Sequence, residues 1–441
     1  MFDVRFLVIL IAAAVTALAG DGPRDTQSIN LAAVMRLAGA DSLDIKLAEQ
    51  RLAEAQAAHE SALMQFFPYL SPSVAFKRHE GNIQTVDGQI IQANKQSLGV
   101  GASIVAQLEL GDAIYKSMVA KRLVAAAQHG AEAQRQESVF LAVSAFFDLV
   151  QAKAARGVER ESLRIADSYA GELGRAVEAG IAFKGDSFRA IAQAERDRLT
   201  LRQMEERQRI AAARLAQTLH ISPLVELIPE GGEPAPMQLS AMSGSIETLV
   251  AAALSNRPEL HQSDAQIAAA QKARDGAKFG PLIPTVRGDF SYGGLGGGLY
   301  DDSVTRRFND STDYGIGLSW RVGPGGLFDQ SRIRTGEARV QISELEQARL
   351  RNEITRQVVE AHARARSFAD QIDYSRKALD AAEQSLKLTR QRQQFGVGEV
   401  LENIQAAQDL TRARLDYLTA ITEHNRAQFA LRRAVGEGAG K

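Results

Sequence analysis

Hydrophobic positions in the second half of the chain fall into one seam. Ile354, Val358, Ala361, Ala365, Phe368, Ile372, Ser375, Leu379, Ala382 and Leu386 alternate at spacings of four and three. That 3.5-residue period predicts a helix winding against a partner, and the small residues in it permit close approach. Extended over residues 328–394, such a helix runs roughly 100 Å at about 1.5 Å per residue, far beyond an ordinary globular helix. No proline falls between Pro72 and Pro223 or after Pro324, and these spans are rich in Ala, Glu, Gln, Arg and Leu, all good helix formers.

Two stretches carry the other period. Leu98, Val100, Ala102, Ile104, Ala106 and Leu108 alternate with Ser97, Gly99, Gly101, Ser103 and Gln107. Tyr314, Ile316, Leu318, Trp320 and Val322 alternate with Asp313, Gly315, Gly317, Ser319 and Arg321. Each follows a shorter strand, over 73–78 and 285–292, across a polar, Gly-rich loop at 81–95 and 295–311. Apolar-out, polar-in alternation over about ten residues is the signature of a transmembrane barrel strand. A soluble hairpin with one buried face gives the same pattern.

The two periods occur twice. Residues 31–45 match 246–260 at an offset of 215. One residue later in register Pro68 falls on Pro284, residues 98–104 on 314–320, Gly180 on Gly396 and Leu215 on Leu431. The chain therefore reads as two copies of one unit: a first repeat over 20–222, a Pro-containing linker over 223–245 holding Pro223, Pro229, Pro234 and Pro236, and a second repeat over 246–441. The repeats contain strand hairpins at about 73–108 and 285–322, and long helices with turns near 180 and 396. Ahead of them an apolar run from Phe6 to Val15 precedes Ala17-Leu18-Ala19, an export signal over 1–19 with an A-x-A cleavage pattern. No other stretch approaches 18 apolar residues, so any membrane entry is expected through β-strands.

Composition narrows the function. Lys+Arg is 52 against Asp+Glu 53, so no basic excess recruits nucleic acid. Cysteine is absent, which excludes disulfide frameworks, thiolate metal sites and thiol nucleophiles. The seven histidines include no pair at close helical spacing, and Gly293–Gly298 lacks the Lys-Ser/Thr follower of a phosphate loop. No nucleophile, base and orienter set is present. The chain reads as a non-enzyme without cofactor or metal.

Four strands cannot close a barrel, and open edges are prohibitively costly in lipid. The fold expected is mainly α with a small β part: a long α-helical coiled-coil barrel plus a transmembrane β-barrel shared between protomers. Cyclic symmetry supplies the missing strands, and three chains give twelve. The duplication, the run Ala48-Glu49-Gln50-Arg51-Leu52-Ala53-Glu54-Ala55-Gln56 leading to Phe67-Pro68, the opening Asn256-Arg257-Pro258-Glu259-Leu260 and the turns at Gly180 and Gly396 together resemble the TolC family of outer-membrane efflux proteins. The resemblance implies a homotrimeric channel-tunnel of the bacterial outer membrane, most of it periplasmic. Such a duct is passive and serves a tripartite efflux or type I secretion system. A periplasmic adaptor and an inner-membrane pump of RND or ABC type load and energise it. A soluble periplasmic coiled-coil adaptor or structural protein is the alternative; a single-chain porin would need many more strands.

Three groups of site residues follow. Gly180, Ile181, Gly396 and Val397 form tips expected to dock the adaptor, although ordinary helix turns use glycine in the same way. Glu402 and its repeat partner Asp186 are candidates for an acidic periplasmic constriction, weakened by the neutral Gln405; a solvated acid at a helix start is the simpler reading. Leu98, Val100, Ile316, Leu318 and Trp320 are expected to face outer-membrane lipid.

Overall fold

The computed structural model describes residues 26–40, 42–239, 244–299, 303, 305, 307–395 and 398–437; the expected export signal lies outside them. The chain runs β1 (Thr26–Ile29), α1 (Leu31–Ala40), α2 (Leu43–Met64), β2 (Tyr69–His79), β3 (Asn82–Gln84), β4 (Ile90–Gln92), β5 (Lys95–Glu109), α3 (Leu110–Glu178), α4 (Lys184–Thr218) and β6 (Glu226–Pro229). It continues with α5 (Ile246–Asn256), α6 (Pro258–Phe279), a 3-10 turn (Gly280–Leu282), β7 (Thr285–Leu299), β8 (Asn309–Ser319), α7 (Gln330–Gln394) and α8 (Val400–Val435). Helices dominate, as the proline-free spans predict, and α3 and α7 reach 69 and 65 residues.

One compact unit comprises Met1–Leu47, Glu132–Arg257 and Asn352–Lys441. Its core gathers Val34 and Ala38 of α1, Val143, Phe147 and Leu149 of α3, Leu215 and Ala216 of α4, Leu227 of β6 and Phe429 of α8. Phe147 touches Phe146 and Phe429, each at 5.9 Å between ring centroids. By length and composition α3 is long and apolar enough to cross a membrane, which corrects the expectation that no segment after the signal is. Its apolar residues Val139, Ala142, Val143, Phe146 and Phe147 are buried in this core, so their hydrophobicity is used in packing. Linker residues are tied down as well. β6 pairs in parallel with β1, and Asn425 of α8 bonds both Ala235 O (2.9 Å) and Met237 N (2.8 Å).

The other unit comprises Ala48–Ala131 and Pro258–Arg351. Its sheet has the order β2-β5-β7-β8, antiparallel throughout. Two hairpins lie side by side, and among the described residues β2 and β8 each have one edge without a strand partner. The barrel is not closed by one chain.

The strands exceed their expected lengths. β7 continues through the glycine run to Leu299, so Gly293–Gly298 is strand and not the strand-to-strand loop its composition suggests. The glycines are there for close approach: a Cβ on Gly293 would lie 2.3 Å from Val100 O, and one on Gly294 would lie 2.2 Å from the Phe308 ring. The loop expected at 81–95 holds the small β3–β4 hairpin. At the other end β8 stops at Ser319, leaving Trp320 and Val322 outside the named strands.

Candidate functional site

The sheet has two chemically distinct faces. Residues opposed across an antiparallel ladder share a face, so the pairings assign sides directly. Leu98 opposes Phe76, Val100 opposes Val74, and Ile104 lies between Leu70 and Phe290. Phe290 opposes Tyr314, Gly288 opposes Ile316, and Val286 opposes Leu318. All of these fall on one side. The other side carries Ser71, Ser73, Ser97, Gly101, Ser103, Gln107, Arg287, Asp289, Ser291 and Asp313 in the same registers. The apolar side is largely bare: Val74, Val100, Ile104, Ile316 and Leu318 are exposed, and Leu98 is half-buried. Trp320, one residue past β8, is also exposed, and its indole N–H donates to Leu282 O at 3.2 Å.

At the far ends of the long helices the chain reverses. After α3 the Gly180 N–H donates to Val177 O, and the N–H groups of Ile181 and Ala182 both reach Ala176 O. Gly180 takes φ +71°, the left-handed end that glycine tolerates best. Ile181 is 83% exposed and Phe183 is exposed beside it. In the second turn Phe395 is likewise exposed, while Gly396 and Val397 lie outside the described residues.

The two acids lie in first helical turns. Asp186 of α4 pairs with Arg189 at 3.1 Å. Glu402 of α8 pairs across the turn with Arg392 of α7 at 2.8 Å. Asn403 Nδ2 donates to Gln393 Oε1, and Gln393 Nε2 donates to the Tyr169 hydroxyl at 2.8 Å. This links the α7–α8 turn to α3. Burial raises the Tyr169 hydroxyl above its ordinary range.

The family described as Outer membrane efflux protein matches residues 249–437. Over that stretch the chain resembles outer membrane efflux proteins. Protein CyaE of Bordetella pertussis is 29% identical over 308 residues, covering 68% of this chain and 62% of CyaE; the match thus spans less than two thirds of that relative. The Campylobacter jejuni CmeC outer membrane channel shares the fold at a TM-score of 0.79 and 15% identity, over 92% of this chain and 86% of that one. A membrane protein from Pseudomonas aeruginosa does so at 0.78 and 18%, over 92% and 93%. At these identities the likeness carries the fold.

The sequence pattern found the strand faces and the helix reversals but missed their neighbours. Arg392 lies ten positions before Glu402, on the other arm of the turn, where no helical spacing connects them. Arg257 reads as part of a family opening, yet it is buried, with its guanidinium donating to the Ala434 carbonyl at 3.3 Å and to Gln357 Oε1 at 3.3 Å. It caps the last turn of α8 and so has a structural task. Glu159 and Asp197, half a helix from the tips, read as two more charges on solvated faces; both are raised above the ordinary carboxylate range, chiefly by burial.

Proposed function

We propose that three copies of this chain form an outer-membrane exit duct for efflux or type I secretion. The observation that carries this reading is the open, two-faced sheet. A bare apolar face suits lipid, a polar face suits a water-filled lumen, and free edges in hydrocarbon are costly enough to demand closure by further copies. Three times four strands is ample for a barrel with an aqueous interior. A soluble adaptor leaves the bare apolar face unexplained. Energy comes from an inner-membrane pump of RND or ABC type through a periplasmic adaptor. The exposed Ile181 and the turn at Gly180, with Gly396 and Val397 on the second turn, are the surfaces assigned to that adaptor. Glu402 and Asp186, repeated threefold, line the periplasmic opening. Native mass measurement of the detergent-purified protein tests the assembly. A three-chain mass is expected, and a stable single chain overturns the shared barrel.

A further inference from the structure

No two histidines of the chain stand at close helical spacing, but the fold makes a pair that the sequence hides. His129 of α3 and His261 of α6 belong to different repeats. Within one compact unit their rings come to 5.3 Å between centroids, tilted by 41°. Neither ring makes a hydrogen bond or ion pair with another described residue, so their nitrogens are available to a ligand. His129 is half-buried and His261 is exposed, which leaves the pair open to ions from solvent.

Backbone packing, not attraction between the rings, sets this approach. Gly130 follows His129, and a Cβ on it would lie 3.2 Å from Nε2 of Gln262, the neighbour of His261. Further along the same two helices, a Cβ on Gly276 of α6 would lie 2.7 Å from the Tyr115 Cβ of α3. Glycine at these points lets α3 and α6 lie close, and the imidazoles are carried together by that fixed spacing.

The spacing is that of two ligands on one ion. A zinc–nitrogen bond is about 2.0–2.1 Å, and an imidazole's centre lies about 1.1 Å behind its ligating nitrogen, so the ion sits about 3.2 Å from each ring centre. At the tetrahedral angle of about 109° two such centres are about 5.2 Å apart. At the right angle of a square-planar site they are about 4.5 Å apart. The observed 5.3 Å matches the tetrahedral case, the geometry of zinc. Asp264 lies on the same face of α6, three positions after His261. Its carboxylate accepts from Gln347 Nε2 at 2.6 Å and adds negative potential one turn away. No cluster of three or more His, Asp or Glu suited to a metal occurs among the described residues, so water supplies the other positions and the ion is exchangeable.

We infer that His129 and His261 bind one Zn²⁺ ion per chain and that the ion staples the first repeat to the second through α3 and α6. This holds whether or not the chain is a duct.

Untagged, metal-stripped, assembled protein in detergent is titrated with Zn²⁺ by calorimetry, and its melting temperature is read with and without the ion. Saturable binding of one Zn²⁺ per chain and a zinc-dependent rise in melting temperature are expected. His129→Gln and His261→Gln keep the size of each side chain and should each weaken binding by at least about tenfold, since loss of even a ligand's supporting partner costs that much. The double variant should bind no more weakly than the weaker single one, because removing either ligand already breaks the shared site. Without zinc, the assembled band of each variant should match wild type, which separates ligand loss from misfolding. Wild-type affinity in both single variants places the ion elsewhere and overturns the proposal. So does a wild type that shows no saturable binding below millimolar zinc, or losses in the two single variants that add in the double.

Discussion

Ile104 and Ser103 are sequence neighbours on opposite faces of β5, and arginine at each position tests the assignment of faces. The apolar row from Leu98 to Leu108 spans ten rises of about 3.4 Å, roughly 34 Å along the strand. At a tilt of about 45° that climbs roughly 24 Å, close to the ~25 Å apolar band of a barrel. Ile104 is four rises from the Leu108 end, about 10 Å into the band and near its middle. Arginine there costs about 2–4 kcal/mol per chain, roughly thirty- to nine-hundred-fold in equilibrium constant, and about 6–12 kcal/mol over three chains. Ser103 faces the polar side with only a 3.3 Å hydroxyl bond to Ser71 O to lose, so arginine there costs under about 1 kcal/mol. Leu318, one residue from the end of β8, is near the band's edge, where the expected cost falls to about 0–1 kcal/mol. Equilibrium unfolding from phosphatidylcholine vesicles, read by the heat-modifiable assembled band on gels, gives all three values. Wild-type assembly of Ile104→Arg, or severe loss in Ser103→Arg, refutes the two-faced reading.

Gly180→Ala meets no atom within 4 Å, so its cost is only that of a left-handed backbone, about 1–2 kcal/mol; calorimetry of the assembled protein should show a modest drop in melting temperature with the assembly intact. If the turn lines the proposed opening, Glu402→Gln and Arg392→Gln should shift ion selectivity in opposite directions, the first toward anions and the second toward cations, because each leaves the charge of its partner unanswered; reversal potentials in planar bilayers under a salt gradient read both, and shifts of the same sign refute the paired-charge account. Asp329 is held below the ordinary carboxylate range by the N–H groups of Gly325 and Arg332. Its stabilisation is therefore present above the ordinary carboxylate pKa and is lost as pH falls through the lowered value. Asp329→Asn should be less stable than wild type at neutral pH and converge with it in acid, measured by denaturant midpoints across pH.

The parts of the fold written in period were legible. The seam from Ile354 to Leu386 follows from the 3.5-residue repeat, and the faces of β5 and β8 follow from strict alternation. The glycine run misled because composition reports backbone freedom without its use. In Gly293 and Gly294 that freedom serves contact with Val100 and Phe308, both distant in sequence. Strand ends were misjudged at Trp320 for a related reason. Alternation continues through Val322, but pairing stops where β7 begins, since Thr285 opposes Ser319. The tips were legible as positions and not as electrostatics. Glu402 reads in sequence as a constriction acid or a solvated helix start, and only the folded chain brings Arg392 beside it.

This pairing bears on how an opening lined by Glu402 would behave. Three bare carboxylates around one axis repel, and the repulsion is relieved by binding cations or by spreading apart. With Arg392 attached to each, the first-order charge of such a ring would be near zero. What remains is a circle of dipoles whose direction depends on which member points inward. Both side chains are about half exposed, so water screens the pair and either can swing without a large penalty. Asp186 is also paired, with Arg189 one turn along its own helix. An opening built from exchangeable ion pairs discriminates weakly among charged solutes. That suits a duct whose choice of cargo is made upstream, where a pump binds its substrate, better than a duct that filters at its own entrance.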